Sequence, residues 1–121
     1  MPLRVYLPNQ NGGRGFVCLT NEGRIIITSK KGTDNLPTVS HRLWKIEHLM
    51  RLPYGVERRY RKSPWRVSKV EASLEFHTTN EAISPDLPRR ISISIENLLQ
   101  AWKELNQKSS ELKHKLYFMR N

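Results

Sequence analysis

The sequence predicts an α+β fold, an antiparallel β-sheet with a long C-terminal helix and one inserted helix. Residues 91–95 alternate Ile with Ser, which is the period of a half-buried strand. From residue 98 onward, apolar residues recur every three or four positions, which is typical of one apolar helix face. A chain of 121 residues can bury one modest core, so we expect a single domain, 1–121.

The N-terminal part of the chain indicates strands. Residues 3–7 alternate weakly and predict a short edge strand. Two β-rich runs, 15–20 and 24–29, are separated by Asn21-Glu22-Gly23. A three-residue connection that ends in Gly is typical of a type I turn followed by a left-handed residue. We therefore expect a β-hairpin here, with Cys18 as a small buried strand residue.

The middle of the chain predicts the inserted helix and a further strand. Residues 38–52 carry apolar side chains at helical spacing, and Pro53 would end that helix. Residues 54–64 lack apolar periodicity and predict an exposed loop. Residues 65–77 alternate, which predicts one strand whose outward face carries Lys69. We see no internal repeat in the sequence.

The final strand and helix meet near Ser94. A Ser hydroxyl can accept from the free N–H groups of a first helical turn, so we expect the helix to run from Ile95 to Met119. At 1.5 Å per residue it would be about 37 Å long. So long an apolar stripe needs the sheet of its own chain or a second copy as partner. We favour a homodimer contact through Leu98, Trp102, Leu105, Leu112 and Leu116.

Positive charge is concentrated in the first part of the chain. The net charge is +10; residues 1–69 contain 14 Lys or Arg against 4 Asp or Glu, and residues 70–121 contain 7 of each. A concentrated positive field favours a polyanionic partner, most commonly nucleic acid. The alternative interpretation is an uneven, solvated basic surface.

The strongest candidate site lies between residues 58 and 69, where six cations occur without an acidic residue. Cations neutralise phosphates, and aromatic rings stack on unpaired bases for about 1–3 kcal/mol per base. This composition favours single-stranded nucleic acid. The residues predicted to bind it are Arg58, Arg59, Tyr60, Arg61, Lys62, Trp65, Arg66 and Lys69. Burial of Trp65 in the core is an equally good interpretation of that residue.

A second basic set lies around the hairpin and would extend the positive surface. It consists of Arg14, Arg24, Lys30 and Lys31. Charges placed at strand ends for solubility alone would give the same pattern.

Nothing in the sequence indicates catalysis, so we expect a protein that is not an enzyme and has no cofactor or metal. His41 and His48 are seven residues apart, whereas a helical metal pair is normally spaced by three or four. A phosphate-cradling Gly loop ahead of a helix is absent. The remaining alternative is a metal-dependent nuclease that uses Glu71 and Glu75.

Two segments resemble a known family. Residues 16–27, and residues 89–93 with Glu96, Gln100 and the Lys103–Leu105 segment, are similar to the positive-cofactor-four/Whirly type of single-stranded-DNA-binding protein. The resemblance implies four strands followed by a helix, dimerisation through antiparallel helices, and a curved sheet that presents basic and aromatic side chains to unpaired DNA. Residues 33–64 depart from that pattern as an insertion.

The expected function is therefore non-sequence-specific binding of single-stranded nucleic acid, DNA favoured over RNA, in transcription or replication. A protein-interaction module that docks on an acidic protein surface, as an inhibitor or assembly factor would, is the main alternative. A ribonucleoprotein subunit is another. The sequence lacks an apolar run of 18 residues and a signal-peptide pattern, so we expect an intracellular protein of the cytoplasm, nucleoid or nucleus.

Overall fold

The residues that the structure describes form two four-stranded antiparallel sheets and two helices, so the predicted α+β class is confirmed. The computed structural model describes residues 4–8, 16–29, 39–79 and 89–119, and of 29, 39–43 and 109–119 only the backbone. The elements are β1 (Arg4–Tyr6), β2 (Val17–Thr20), β3 (Arg24–Ser29), β4 (Val39–Lys45), α1 (Ile46–Met50), β5 (Arg58–Arg59), β6 (Arg66–Val70), β7 (Ser73–His77), β8 (Arg90–Ser94) and α2 (Ile95–Met119). Strands β1 to β4 form the first sheet in chain order, and β5 to β8 form the second.

The predicted hairpin and edge strand are confirmed in the first sheet. Strands β2 and β3 pair antiparallel, and β1 adds to the outer edge of β2. Gly23 has φ +80°, the left-handed conformation that the turn requires. Val17, Leu19, Ile25 and Ile27 point inward and are at most 1% exposed. Cys18 is buried as expected, with 2% of its surface exposed.

The predicted helix over 38–52 is only partly correct. Residues 39–45 form β4, which pairs with β3, and only Ile46–Met50 are helical. Apolar side chains at positions 39, 43, 46 and 50 fit a helical period, but long-range hydrogen bonds to β3 determine the conformation of the first half. The inserted helix therefore exists but has five residues.

The segment predicted as one strand over 65–77 is a hairpin. Glu71 has φ +53° and reverses the chain, so that Val70 pairs with Ser73. Strands β6 and β7 lie on either side of this two-residue loop. The predicted loop over 54–64 contains the short edge strand β5, which pairs with β6.

The long C-terminal helix begins and ends as predicted, at Ile95 and Met119. The Ser94 hydroxyl accepts from the N–H of Asn97 at 3.3 Å, which confirms its expected role at the helix start. Leu98 and Leu105 are 0% and 3% exposed because α2 packs against β1 and β2 of its own chain.

The predicted dimer contact is therefore wrong for Leu98 and Leu105, which the chain's own core covers. Trp102 is half-buried and its ring lies against Gly23, since a Cβ placed there would be 3.1 Å from Trp102 Cη2. The side chains of Leu112 and Leu116 lie outside the described residues, so a dimer through that end of α2 stays a prediction.

The two sheets repeat one topology, four antiparallel strands followed by a helix. The N–H of Ile46, which begins α1, donates to the carbonyl of Gly23 at 2.8 Å. The N–H of Ile95, which begins α2, donates to the carbonyl of Ala72 at 2.9 Å. These carbonyls belong to the equivalent hairpin loops β2–β3 and β6–β7. The chain thus contains a repeat that the sequence analysis missed, marked only by Ile-Glu-x-Leu at residues 46–49 and 95–98.

One core joins the two units. Trp44 of β4 is 5% exposed, and its ring centroid lies 5.8 Å from that of Phe76 in β7. Leu49 of α1 and Leu98 of α2, equivalent residues of the repeat, are both fully buried in the same cluster.

Candidate nucleic-acid interface

A row of basic side chains crosses the outer face of the second sheet. Strand pairing sets Arg59 opposite Arg66, Arg66 opposite His77, and His77 opposite Arg90. Directly paired residues share a face, and strands lie about 4.8 Å apart, so these four residues form a line about 14 Å long. The adjacent row, Val67, Phe76 and Ile91, is buried on the opposite face. We call Arg59, Arg66, His77 and Arg90 the basic row.

Two carboxylates lie along the basic row. Glu57 contacts Arg66 Nη1 through Oε1 at 2.9 Å and His77 Nε2 through Oε2 at 3.2 Å. Glu75 lies 3.6 Å from Arg90 Nη1. The hydrogen bond from Arg66 holds the pKa of Glu57 below its ordinary value, with His77 adding to the effect. Glu57 is therefore an ionised carboxylate at neutral pH.

In residues 58–62, next to the basic row, the charged side chains are exposed to solvent. Arg58, Arg59, Arg61 and Lys62 are exposed. The chain turns between Tyr60 and Ser63, where the Ser63 N–H donates to the Tyr60 carbonyl at 2.8 Å. Within the described residues, Arg58, Arg61 and Lys62 form no ion pair with a carboxylate. We call residues 58–62 the basic segment; with the row it groups six Arg and Lys side chains around two carboxylates.

The predicted stacking role of Trp65 is wrong. Its side chain is 0% exposed and belongs to the core, so no base can reach its ring. Trp65 precedes β6 and points inward with Val67, in the alternation of a strand with one buried face. Its indole Nε1 has no hydrogen-bond partner among the described residues. Trp65 anchors the basic segment to the core instead of contacting the ligand.

The predicted phosphate contact of Lys69 is also wrong. Lys69 is 6% exposed, and its Nζ donates to the carbonyl of Met50 at 2.8 Å, at the last residue of α1. The same ammonium lies 5.2 Å from the ring centroid of Tyr54. A cation is favourable at a helix C-terminus because the last carbonyls carry partial negative charge. Lys69 therefore joins the helix of the first unit to the sheet of the second.

Tyr60 and Arg24 connect the two units beside the basic segment. Arg24 Nη1 donates to the Tyr60 hydroxyl at 3.2 Å, and the Tyr60 ring packs against Trp44 with centroids 5.5 Å apart. The Arg61 guanidinium lies 5.5 Å from the Tyr60 ring centroid. A base could stack on Tyr60 only if Arg61 moved, so the stacking role of Tyr60 stays a prediction. The predicted binding residues Arg14, Lys30 and Lys31 lie outside the described residues.

No protein-family model, curated protein or solved structure matches this chain. Among the described residues, no helix has the length and apolar character needed to cross a membrane. Nor do three or more His, Cys, Asp or Glu residues come together as a metal site in the ranges that the structure covers. The chemistry of this surface therefore has to be inferred from its own residues.

Two members of the basic row, His77 and Arg90, were not predicted from the sequence. They are separated by a segment of twelve residues, and only the pairing of β7 with β8 brings them together. Arg66 and His77 lie at the two ends of the β6–β7 hairpin. A predicted turn at Glu71 would have paired them and so indicated part of the basic row. Tyr6 was missed as well; it is 48% exposed on the first sheet, with the Arg4 guanidinium 5.9 Å from its ring centroid.

The basic row depends on which residues occupy these positions, because the equivalent positions of the first sheet have the same fold without the row. In the first sheet the equivalent pair is Thr28 and Ser40, which are uncharged. The repeated topology therefore does not require cations at this position.

Proposed function

We propose that this protein binds single-stranded nucleic acid without sequence preference, DNA favoured over RNA, on the outer face of the second sheet. The observation that carries the proposal is the basic row, continued by the exposed cations of the basic segment. Phosphates would lie along the row, and their counterions would be released on binding. Transcription and replication are the processes that expose such strands, which implies action in the cytoplasm, nucleoid or nucleus.

The outer face is suited to a flexible, unpaired strand. Beyond the basic row it presents the small polar side chains Ser68, Ser73 and Ser94, which are half-buried, and Ser92, which is largely buried. Small hydroxyl side chains allow a sugar-phosphate backbone to approach the sheet closely and can donate to its oxygens. The described part of this face has no exposed Phe, Tyr or Trp ring, so we expect charge to contribute more to affinity than stacking.

The repeated unit has the strand and helix order that the positive-cofactor-four/Whirly resemblance implied, although the two segments that carry the resemblance, 16–27 and 89–105, lie in different units. That resemblance implied four strands followed by a helix, and the chain contains this arrangement twice. One chain thus supplies the two units that two chains would contribute in the implied dimer. A dimer through the distal part of α2 would place two basic rows in one particle, and remains part of the proposal.

Fluorescence anisotropy with matched charge variants tests the function. Arg59→Gln/Lys62→Gln removes one charge from the basic row and one from the adjoining turn, and Lys103→Gln/Lys108→Gln removes two from the exposed surface of α2. For a single strand, the slope of log K against log salt changes by about 0.7 per neutralised phosphate, so the first variant should have a slope about 1.4 shallower. The α2 variant should keep the wild-type slope, and equal changes of slope in the two variants would contradict the proposal.

An acidic protein surface is the second candidate partner. The basic row already binds one carboxylate, since Glu57 contacts both Arg66 and His77. Carboxylates on a partner could bind in the same way. Polyglutamate that displaces a labelled single strand at equal charge concentration would favour this alternative. Retention of the strand against polyglutamate would favour nucleic acid.

A further inference from the structure

We propose that a small recess at the basic row holds a terminal phosphate monoester of the bound strand; this inference rests on the proposed function. The recess has a volume of about 80 Å³ and is lined by Pro64, Arg66, His77, Thr78 and Thr79. Guanidinium, imidazole and hydroxyl groups are donors that suit phosphate oxygens. The described lining of the recess contains no Phe, Tyr or Trp ring.

Two strand ends form the recess. Arg66 begins β6 and His77 ends β7, and the two residues are directly paired. Pro64 precedes the first strand, and Thr78 and Thr79 follow the second. The N–H of Thr78 donates to the Arg89 carbonyl at 3.0 Å, which fixes the chain where it leaves β7. Sheet hydrogen bonds therefore hold the backbone beneath the donor groups before any ligand binds.

The carboxylate of Glu57 shows that this pair of donors can hold an oxyanion. Its Oε1 accepts from Arg66 Nη1 at 2.9 Å and its Oε2 lies 3.2 Å from His77 Nε2, an arrangement that two oxygens of a phosphate could also adopt. Glu57 is exposed and precedes β5, so its side chain can turn toward water. Exposed ion pairs contribute little to stability, so a ligand with greater charge can displace it. Glu57 does not line the recess, so it contacts Arg66 and His77 from outside, and a phosphate in the recess would draw these side chains away from it.

A terminal phosphate fits this recess better than an internal one. The recess is largely enclosed, and a phosphodiester would need two openings for the chain, whereas a monoester needs one. A monoester also carries about −1.5 to −2 charges at pH 7, against −1 for the diester and for Glu57. The recess therefore favours the end of a strand, while the sugar-phosphate backbone of the same strand binds along the basic row.

The test compares labelled oligonucleotides that differ only at one end. A 5′-phosphate, a 3′-phosphate and a strand with hydroxyls at both ends are titrated into the full chain, and a strand one nucleotide longer controls for added charge. At least one phosphorylated strand should bind roughly tenfold more tightly, the effect of one charge-assisted hydrogen bond. Equal affinity of phosphorylated and longer hydroxyl strands would overturn the inference while leaving the proposed function intact.

Variants assign the preference to the recess. Arg66→Gln should remove the preference for the phosphorylated end, and Glu57→Gln should increase it several-fold. Arg90→Gln, in the same row but outside the recess, should weaken all strands and keep their ratio. A preference that survives Arg66→Gln would overturn the assignment.

Inorganic phosphate provides a readout that does not depend on strand binding. In NMR spectra of the folded chain it should shift the His77 ring and Thr79 amide signals. If no strand binds but these signals shift, the proposed function fails and the recess stands as a site for free phosphate. If neither occurs, both are wrong.

Discussion

At the scale of single residues, burial separates the cations that hold the fold from those that can bind a ligand. Lys69 and Arg66 lie in one strand, three residues apart, yet Lys69 is 6% exposed and Arg66 has 52% of its side chain exposed. Both were predicted to contact phosphates. Only Arg66 is on the outer face, because side chains separated by an odd number of positions in a strand point to opposite faces.

The change Lys69→Ala should destabilise the fold and leave nucleic-acid binding unchanged. It removes the donor to the Met50 carbonyl and the aliphatic stem packed beneath it, which should lower the free energy of unfolding by about 1–3 kcal/mol. Urea unfolding measures the first effect, and the salt slope of strand binding measures the second. If the variant were as stable as wild type and its slope of log K against log salt were smaller by about 0.7, Lys69 would be a phosphate contact after all.

Cys18 should be protected from alkylation in the folded protein. Burial raises the pKa of the Cys18 thiol, and the opposing effect of Arg4 is smaller. Its thiolate is therefore scarce at neutral pH, and its sulfur is shielded from reagents. Iodoacetamide labelling followed by mass spectrometry should show slow modification in buffer and rapid modification in urea. Equal rates in the two conditions would contradict the packing of Cys18 between Tyr6 and Ile26, its neighbours across the strands.

The Glu57 ion pair should break in acid. The pKa of Glu57 is lowered in the folded state by Arg66 and His77, so its small contribution to stability is present above the unfolded-state pKa. That contribution disappears as pH falls through the lower, folded-state pKa. The melting temperatures of wild type and Glu57→Gln should differ near neutral pH and converge in strong acid. A difference that grows as pH falls would contradict the assignment.

At the scale of elements, the β2–β3 hairpin was predictable because its signals are local. The residues that make its turn, Asn21 to Gly23, are adjacent in sequence, and the same is true of Ser94 at the start of α2. Strand β4 was not predictable, since its partner β3 determines its conformation and its own apolar spacing fits a helix. Pairing between distant segments carries information that no local pattern contains.

Two glycines with left-handed backbones allow a test of whether α2 packs on the β2–β3 turn. Gly23 and Gly55 have φ values of +80° and +75°, but only Gly23 has a close neighbour, Trp102 of α2. Gly55→Ala should cost about 1–2 kcal/mol from the left-handed backbone. Gly23→Ala should cost about 1 kcal/mol more, because the new methyl group meets the Trp102 ring. Urea unfolding measures both, and equal destabilisation would show that α2 does not pack on the turn.

At the scale of the whole molecule, one topology occurs twice and only one copy carries the basic row. The α+β class and the long helix followed from sequence alone. The division into two sheets did not, because the two copies share little beyond Ile-Glu-x-Leu. The basic row could not be predicted from the sequence either, because its four residues come from four strands and meet only through sheet pairing.

Chemical-shift mapping of the ¹⁵N-labelled chain with an unlabelled single strand tests the central claim most directly. Our account predicts the largest amide shifts at Arg59, Arg66, His77 and Arg90 and in the basic segment, with smaller shifts along Ser68 and Ser92. Saturable shifts confined to α2 or to the first sheet would contradict it, as would the absence of shifts at low salt.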